Sequence, residues 1–271
     1  MDLTKNLENK LNKLISFLKN KKVIVAFSGG VDSSLLAFLS NKNAKKTLLI
    51  TEKSPLYPEE EIDEVNEFAK NYEIPNTIIE RNPLIDNDFK KNPKDRCYIC
   101  KKGLYSNIIK IRDEKNFDLI LDGSNTNDLE DYRPGMQALR ELGIITPYID
   151  FNINKQEIRE ICRYFNLDVQ FKPSMACFSS RIPYDQVITE KKLNQIRESE
   201  KFLKQVFNLK QLRVRYHDDK LARIEFLRED LPNILTVENL QKIIRKFKDL
   251  GFCYITIDIE GFRSGSINEV L

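Results

Sequence analysis

The residues with the clearest chemical capacity lie in the run Ser28-Gly29-Gly30-Val31-Asp32-Ser33-Ser34. Two glycines admit positive φ and let a ligand approach the backbone closely. Asp32, Ser33 and Ser34 fall in the first turn of the helix that the apolar spacing of Val31 to Leu39 predicts. Free amides at a helix start, hydroxyls and little side-chain bulk make an anion cradle. No lysine follows the glycines, so the Walker ending is absent, as is the G-x-G-x-x-G dinucleotide fingerprint. A lone Ser-Gly-Gly would be a tight βα turn with a serine cap. The whole heptapeptide between strand and helix points instead to nucleotide phosphates.

The five cysteines divide by periodicity. Cys162 shares a helical face with Ile158, Ile161 and Phe165, and Cys253 alternates with Ile255, Ile257 and Ile259 along a strand, so both are expected in the core. Cys97, Cys100 and Cys177 have no such packing reason. The first two follow the polar run Lys91 to Arg96, and the third lies in an irregular stretch between Pro173 and Pro183. A Cys-x-x-Cys pair with one remote cysteine supplies three ligands for a 4Fe-4S cluster, with one iron left open to a sulfide. Spacing alone equally allows a Zn²⁺ site completed by His217, the sole histidine, a dithiol relaying a persulfide from Cys177, or a chance pair.

Two further stretches carry polar groups where a ligand could meet them. Asp122 to Gly135 follows an expected strand at its carboxyl end, where Gly123 permits close backbone approach and Asp128 or Arg133 could face nucleotide or acceptor. An ordinary helix cap at Asn125 or Thr126 is the competing reading. Arg213 and Arg215 alternate on one strand face, so both planar forks could reach a single phosphate or carboxylate, the alternative being a solvated face.

The elements that position these groups follow from the apolar pattern. Strands are expected at Val23 to Phe27, Thr47 to Thr51, Asn76 to Ile79 and Phe117 to Asp122, separated by helices such as Val31 to Leu39 and Pro58 to Lys70. That alternation predicts an α/β fold, a parallel sheet with helices on both faces. Thr51 and the residues after it would then border the ligand crevice. The last third reads as a smaller α+β module: a helix at Thr189 to Val206, a hairpin of Leu212 to Tyr216 with Leu221 to Phe226, a helix at Val237 to Leu250, and the strand Cys253 to Ile259. Domains are expected at 1–184 and 185–271. With 44 Lys+Arg against 41 Asp+Glu, the net charge of +3 is too small for a nucleic-acid footprint. No run approaches 18 apolar residues and no leader h-region stands at the N-terminus, so a soluble, cytoplasmic protein with no membrane partner is expected. In such a compartment the cysteines are thiols or metal ligands.

The heptapeptide resembles the pyrophosphate loop of the ATP pyrophosphatase (PP-loop) superfamily, of the adenine nucleotide alpha hydrolase-like fold. Together with Asp122 to Gly135, Lys172 to Cys177, Ser180 to Tyr184, Leu212 to His217, Ala222 to Glu225 and Glu260 to Glu269, it makes nearly the whole chain resemble the LarE family. That resemblance implies an ATP- and Mg²⁺-dependent sulfur transferase. Such an enzyme adenylates a carboxylate of pyridinium-3,5-biscarboxylic acid mononucleotide and turns it into a thiocarboxylate for the nickel-pincer cofactor. It implies nucleotide contacts from Ser28, Gly29, Gly30, Asp32, Ser33, Ser34, Thr51, Gly123, Asn125 and Asp128, and substrate contacts from Arg133, Arg181, Glu200, Arg213 and Arg215. On the residues alone, Glu200 is an exposed helical glutamate. Cys177 matches the cysteine that single-cysteine members sacrifice. Cys97 and Cys100 are additional, as in members resembling cluster-dependent thiolation enzymes, so a 4Fe-4S cluster on Cys97, Cys100 and Cys177 is expected, recharged by an external sulfide or sulfur donor. A homo-oligomer is also expected. A tRNA thiouridylase, an amidotransferase of the NAD or GMP synthetase kind and a non-catalytic nucleotide sensor are the alternatives.

Overall fold

The computed structural model describes residues 3–129, 134–173, 176–217, 220–263 and 265–269. Arg133, an expected substrate contact, lies outside them. The chain divides into two compact units. The first comprises Met1–Ser54, Pro58–Asn82 and Asp95–Met175, and the second comprises Pro55–Tyr57, Pro83–Lys94 and Ala176–Leu271.

In chain order the first part runs α1 (Lys5–Leu18), β1 (Lys22–Ala26), α2 (Val31–Asn43), β2 (Lys46–Lys53), α3 (Glu60–Asn71) and β3 (Asn76–Glu80). After α4 (Asn87–Lys90), which belongs to the second unit, come α5 (Arg96–Glu114), β4 (Leu119–Leu121), α6 (Gly135–Glu141), α7 (Pro147–Asp150) and α8 (Lys155–Tyr164). The four strands form one parallel sheet in the order β3-β2-β1-β4, with Val23 opposite Thr47 on one side and Leu119 on the other. Central β1 is buried on both faces, and its alternating side chains serve two cores. Val23 and Val25 join Leu35, Leu36, Ile158 and Ile161, whereas Ile24 joins Tyr105, Ile108 and Leu139. Helix α1 starts where Thr4 accepts from the Leu7 amide, and it lays Leu7, Leu11, Leu14 and Leu18 into the first of these cores. The α/β fold read from the strand-helix alternation is the one observed.

The second unit continues with α9 (Glu190–Phe207), β5 (Leu212–His217), β6 (Leu221–Phe226), α10 (Leu231–Ile234), α11 (Val237–Asp249) and β7 (Tyr254–Ile257). β5 pairs antiparallel with β6, and β6 pairs parallel with β7, which makes a separate mixed sheet. Helix α9 begins at a Thr189 cap and ends at Asn208 in the left-handed conformation (φ 51°). Its stripe Leu193, Ile196 and Leu203 is buried. Cys162 is buried as its helical period required, and desolvation pushes its thiol up to about 12. Cys253 is not buried. It precedes β7, the edge strand of a three-stranded sheet, so the alternation that looked like a core strand belongs to a strand with one open side, and the thiol is exposed.

Candidate active site

In the first unit the turn from β1 into α2 is built by its own side chains. The Ser28 amide donates to Ser33 Oγ at 3.3 Å, the two hydroxyls meet at 3.2 Å, and Ser33 Oγ reaches the Gly30 carbonyl at 3.2 Å. Gly30 caps α2 without a side chain, leaving the first-turn amides open to an anion. Gly29 sits at φ +69°, and a Cβ there would come within 2.7 Å of Val65 Cγ1 on α3. Gly29→Ala therefore combines backbone strain of about 1–2 kcal/mol with displacement of α3. It is expected to lower the thermal midpoint and to abolish calorimetric pyrophosphate binding.

The loop after β4 closes on this turn. A Cβ on Gly123 would lie 3.0 Å from the Ser33 amide, so only glycine allows this approach. Asp128 Oδ2 accepts from the Asn125 amide at 2.9 Å, and Asn125 Oδ1 accepts from the Asn127 amide at 3.1 Å. Helix α8 then contributes groups absent from the sequence-based site. Lys155 Nζ donates to both Asp32 oxygens at 2.7 and 2.6 Å. Burial raises the Asp32 carboxyl above its ordinary range, and Lys155 offsets this only in part. One turn on, Arg159 donates to the carbonyls of Gln170 and Lys172, and Lys172 Nζ in turn donates to the Gly29 carbonyl at 2.9 Å and pairs with Glu64. Ser34 Oγ is buried with no hydrogen-bond partner among the described residues. Amides, hydroxyls and a carboxylate, all hard donors or oxygens, suit a nucleotide's phosphates and Mg²⁺. Thr51, on β2, donates its hydroxyl to Asn76 Oδ1 at 3.2 Å.

Beside the loop, Asp122 anchors α5. Burial would raise its carboxyl, but Lys101 at 3.2 Å and the hydroxyls of Ser124 and Tyr105 hold it below its ordinary value. Cys97 and Cys100 stand one turn apart at the start of α5, the first exposed and the second half-buried. Arg81, just past β3, donates from Nη2 to Cys100 Sγ at 2.9 Å while Nε pairs with half-buried Glu52 at 2.5 Å. Gly103 leaves room for that guanidinium, because a Cβ there would stand 3.1 Å from Arg81 Nη1. Among the described residues no group of three or more histidine, cysteine, aspartate or glutamate side chains is gathered as a metal site. Cys97 and Cys100 belong to the first unit and Cys177 to the second. Within either unit by itself the described residues assemble no such ligand set, and α5 supplies two thiols of the kind a cluster or zinc site takes.

In the second unit Cys177 is half-buried with Sγ 2.9 Å from Ser179 Oγ. The backbone around it is clamped by Arg181, whose Nη1 donates to the carbonyls of Ala176 at 2.5 Å and Cys177 at 3.0 Å. Arg181 is held by Glu200 through two bonds of 3.0 and 3.1 Å, and Glu200 also accepts from the Val214 amide. Glu200 is therefore not an exposed helical glutamate but a buried one. Arg215 forms a second fork with Glu225 at 3.0 and 2.8 Å and donates to the Ser180 carbonyl. Arg213, buried beside these cations with its guanidinium over the Phe262 ring, is lowered to about 10, first by desolvation and then by Arg181. The arginine face of β5 is buried, not solvated.

Lys155, Lys172, Arg159, Lys101 and Arg81 escaped the sequence reading. Asn154-x-x-Glu157 forms a capping box that places Lys155 at the first position of α8, a signal present in the sequence. Arg81 directly follows a parallel strand, where such sheets open to ligands. Lys172 opens the Lys172 to Cys177 stretch that carries the resemblance, but no periodicity marks its side chain as a contact of the glycine loop.

The sequence family of NAD synthase matches residues 3–112. An uncharacterised protein of Synechocystis is 34% identical over 267 residues, 98% of this chain and 99% of that one. The pyridinium-3,5-bisthiocarboxylic acid mononucleotide synthase of Lactiplantibacillus plantarum is 32% identical over 270 residues, 98% of this chain and 96% of that enzyme. The NH₃-dependent NAD⁺ synthetase of Pyrococcus furiosus is 25% identical over 256 residues, 89% and 90% of the two chains. The parallel sheet and the glycine loop between β1 and α2 are those of the PP-loop class of ATP-using enzymes. Within that class, the identity to the Lactiplantibacillus synthase along nearly all of both chains is decisive: the chain belongs to the LarE family. Among the described residues, no helix is long and apolar enough to cross a membrane.

Proposed function

We propose that this chain activates a carboxylate of pyridinium-3,5-biscarboxylic acid mononucleotide as its acyl adenylate and converts it to a thiocarboxylate, on the route to the nickel-pincer cofactor. The observation that carries the reading is the 32% identity, over 98% of the chain, to an enzyme named for the bisthiocarboxylic product. The chemistry explains why such an enzyme needs a phosphate loop. A carboxylate is resonance-stabilised and would have to expel oxide, so its oxygen first attacks the α-phosphorus of ATP. The bond to the β-phosphate oxygen breaks, and pyrophosphate leaves. The Ser28 to Ser34 cradle, with Asp32 on Mg²⁺, stabilises the charge that gathers on that leaving group. Gly123, Asn125 and Asp128 are proposed to border the nucleotide, and Arg213 and, outside the described residues, Arg133 to receive the anionic acceptor; Arg181 and Arg215, expected as substrate contacts, have their forks taken by Glu200 and Glu225 and would meet the acceptor only by giving up those pairs.

Sulfur then displaces AMP from the acyl carbon. If Cys177 is the donor, its thiolate forms a thioester; loss of its α-proton breaks the Cβ–S bond, leaving the thiocarboxylate on the substrate and dehydroalanine at position 177. A 4Fe-4S cluster on Cys97, Cys100 and Cys177 would supply, when bound, a sulfide drawn from an external donor, and Cys177 would keep its sulfur. Incubation with ATP, Mg²⁺ and the pyridinium substrate is expected to release AMP and pyrophosphate and to yield the thiocarboxylate. No substrate-dependent pyrophosphate overturns the reading. Iron and sulfide analysis of anaerobically purified protein, with Cys97→Ala beside it, decides between the two sulfur sources: iron lost in the variant marks the cluster, and an intact-mass loss at Cys177 marks sacrifice.

A further inference from the structure

Arg81 is held from both ends and aimed at a sulfur. Its amide donates to the Lys53 carbonyl at 3.0 Å, which carries the β2–β3 ladder one step past β3 and fixes the backbone. Its Nε is seated on Glu52 Oε1 at 2.5 Å, and its Nη2 donates to Cys100 Sγ at 2.9 Å. Gly103, one turn after Cys100 on α5, leaves the room that Nη1 takes, since a Cβ there would stand 3.1 Å from it. The Arg81 side chain keeps only 15% of its exposure, so water can do little to satisfy the guanidinium. A protonated thiol is a weak acceptor for a charged donor, whereas a ligating thiolate is a strong one. An ion pair with Glu52 would by itself account for Nε, but neither for the aim of Nη2 nor for the room at Gly103.

We infer that Arg81 is the positioning residue of the α5 thiol pair: it orients the Cys100 sulfur and donates to it while that sulfur ligates a 4Fe-4S cluster. This rests on the cluster reading given above for Cys97, Cys100 and Cys177. Partners behind a metal ligand fix its direction, so a cluster held without Arg81 would be lost more readily. A hydrogen bond from a guanidinium also draws electron density off the thiolate and favours the reduced cluster, which raises its reduction potential. Glu52 pulls the other way. Its carboxylate holds the donor in place but partly cancels the positive charge that the sulfur feels. The two members of one ion pair therefore act on the potential with opposite signs.

The full chain, reconstituted anaerobically with ferrous iron and sulfide, supplies the test. Iron retention is read by chelator competition, and the reduced cluster by electron paramagnetic resonance along a potential titration. Against wild type, Arg81→Met is expected to hold iron about tenfold or more weakly. At the potential where wild type is half reduced, the same variant is expected to show a reduced-to-oxidised ratio about tenfold lower, a fall of about 59 mV for one electron. Arg81→Lys, which keeps a cationic donor, is expected to recover most of that potential. Glu52→Gln keeps an acceptor for Nε and removes the opposing charge, so its potential is expected at or above that of wild type. A pair that served only the fold would make the two single variants act alike. Because Arg81→Met strands the Glu52 carboxylate, Arg81→Met/Glu52→Gln carries the same test should the single variant fail to fold. A wild-type potential in the Arg81→Met proteins, or a fall in Glu52→Gln equal to theirs, overturns the inference while the cluster stands. A wild-type chain that takes up no iron overturns the cluster reading, and the inference with it.

Discussion

Cys177→Ala is expected to make no thiocarboxylate while still releasing pyrophosphate from ATP in the presence of the pyridinium substrate. Removal of a covalent nucleophile lowers turnover by roughly 10³-fold or more, and removal of a cluster ligand would stop sulfide delivery at the same step. The proposed adenylation has no use for a thiol: the loop hydroxyls, amides and Asp32 assigned to it all lie in the first unit. The fold has little reason to change. The clamp on residues 176 and 177 runs from Arg181 to two backbone carbonyls, which alanine leaves in place, and the sulfur's own contact is with Ser179 Oγ. Isotope exchange between labelled pyrophosphate and ATP reports the first half reaction, and mass spectrometry of the small-molecule product reports the second. A Cys177→Ala protein that forms product at the wild-type rate would remove sulfur transfer from this residue altogether.

What could be read in advance follows from how local each signal is. Strand β1 (Lys22–Ala26), the glycine turn and the start of α2 lie within a dozen residues, and Cys162 declared its burial through the spacing of its own helix. Cys253 misled because alternation tells only which residues share a face, and an edge strand leaves part of such a face uncovered. Glu200 misled for the opposite reason. It falls at the stripe positions of α9 set by Leu193, Ile196 and Leu203, and a carboxylate on a buried stripe demands a partner. That partner, Arg181, stands nineteen residues away in an irregular stretch with no period to announce it. The lysines show the same limit. Lys155 and Lys172 reach the loop from 123 and 143 residues away in sequence, through long side chains whose direction no spacing rule fixes.

Glu200→Gln is expected to be the most destabilising of the substitutions in the second unit. The Arg181–Glu200 pair is almost fully enclosed, each side chain retaining 4% of its exposure. Severing such a pair from one side costs about 3–5 kcal/mol because the remaining charge stays buried without compensation. Here the stranded cation would be Arg181, with Arg213 close enough to add to the repulsion. Against a typical total of about 5–15 kcal/mol, such a loss corresponds to a fall in midpoint of order 10 °C. The pH dependence identifies the cause. Burial alone would raise the Glu200 carboxyl, but Arg181, Arg213 and the Val214 amide hold it below its ordinary value of 4.5. Because the folded value is depressed, the contribution is complete above pH 4.5 and is lost as pH falls through the folded value. Urea melts should therefore show wild type and Glu200→Gln far apart near neutrality and converging in acid. The double variant Arg181→Met/Glu200→Leu, which removes both charges and keeps apolar volume, should recover most of the loss near neutrality, since a buried pair is costly mainly when broken from one side. A single variant as stable as wild type at neutral pH, or a gap that persists unchanged into acid, would show that the ion pair does not hold β5 and the Cys177 segment together.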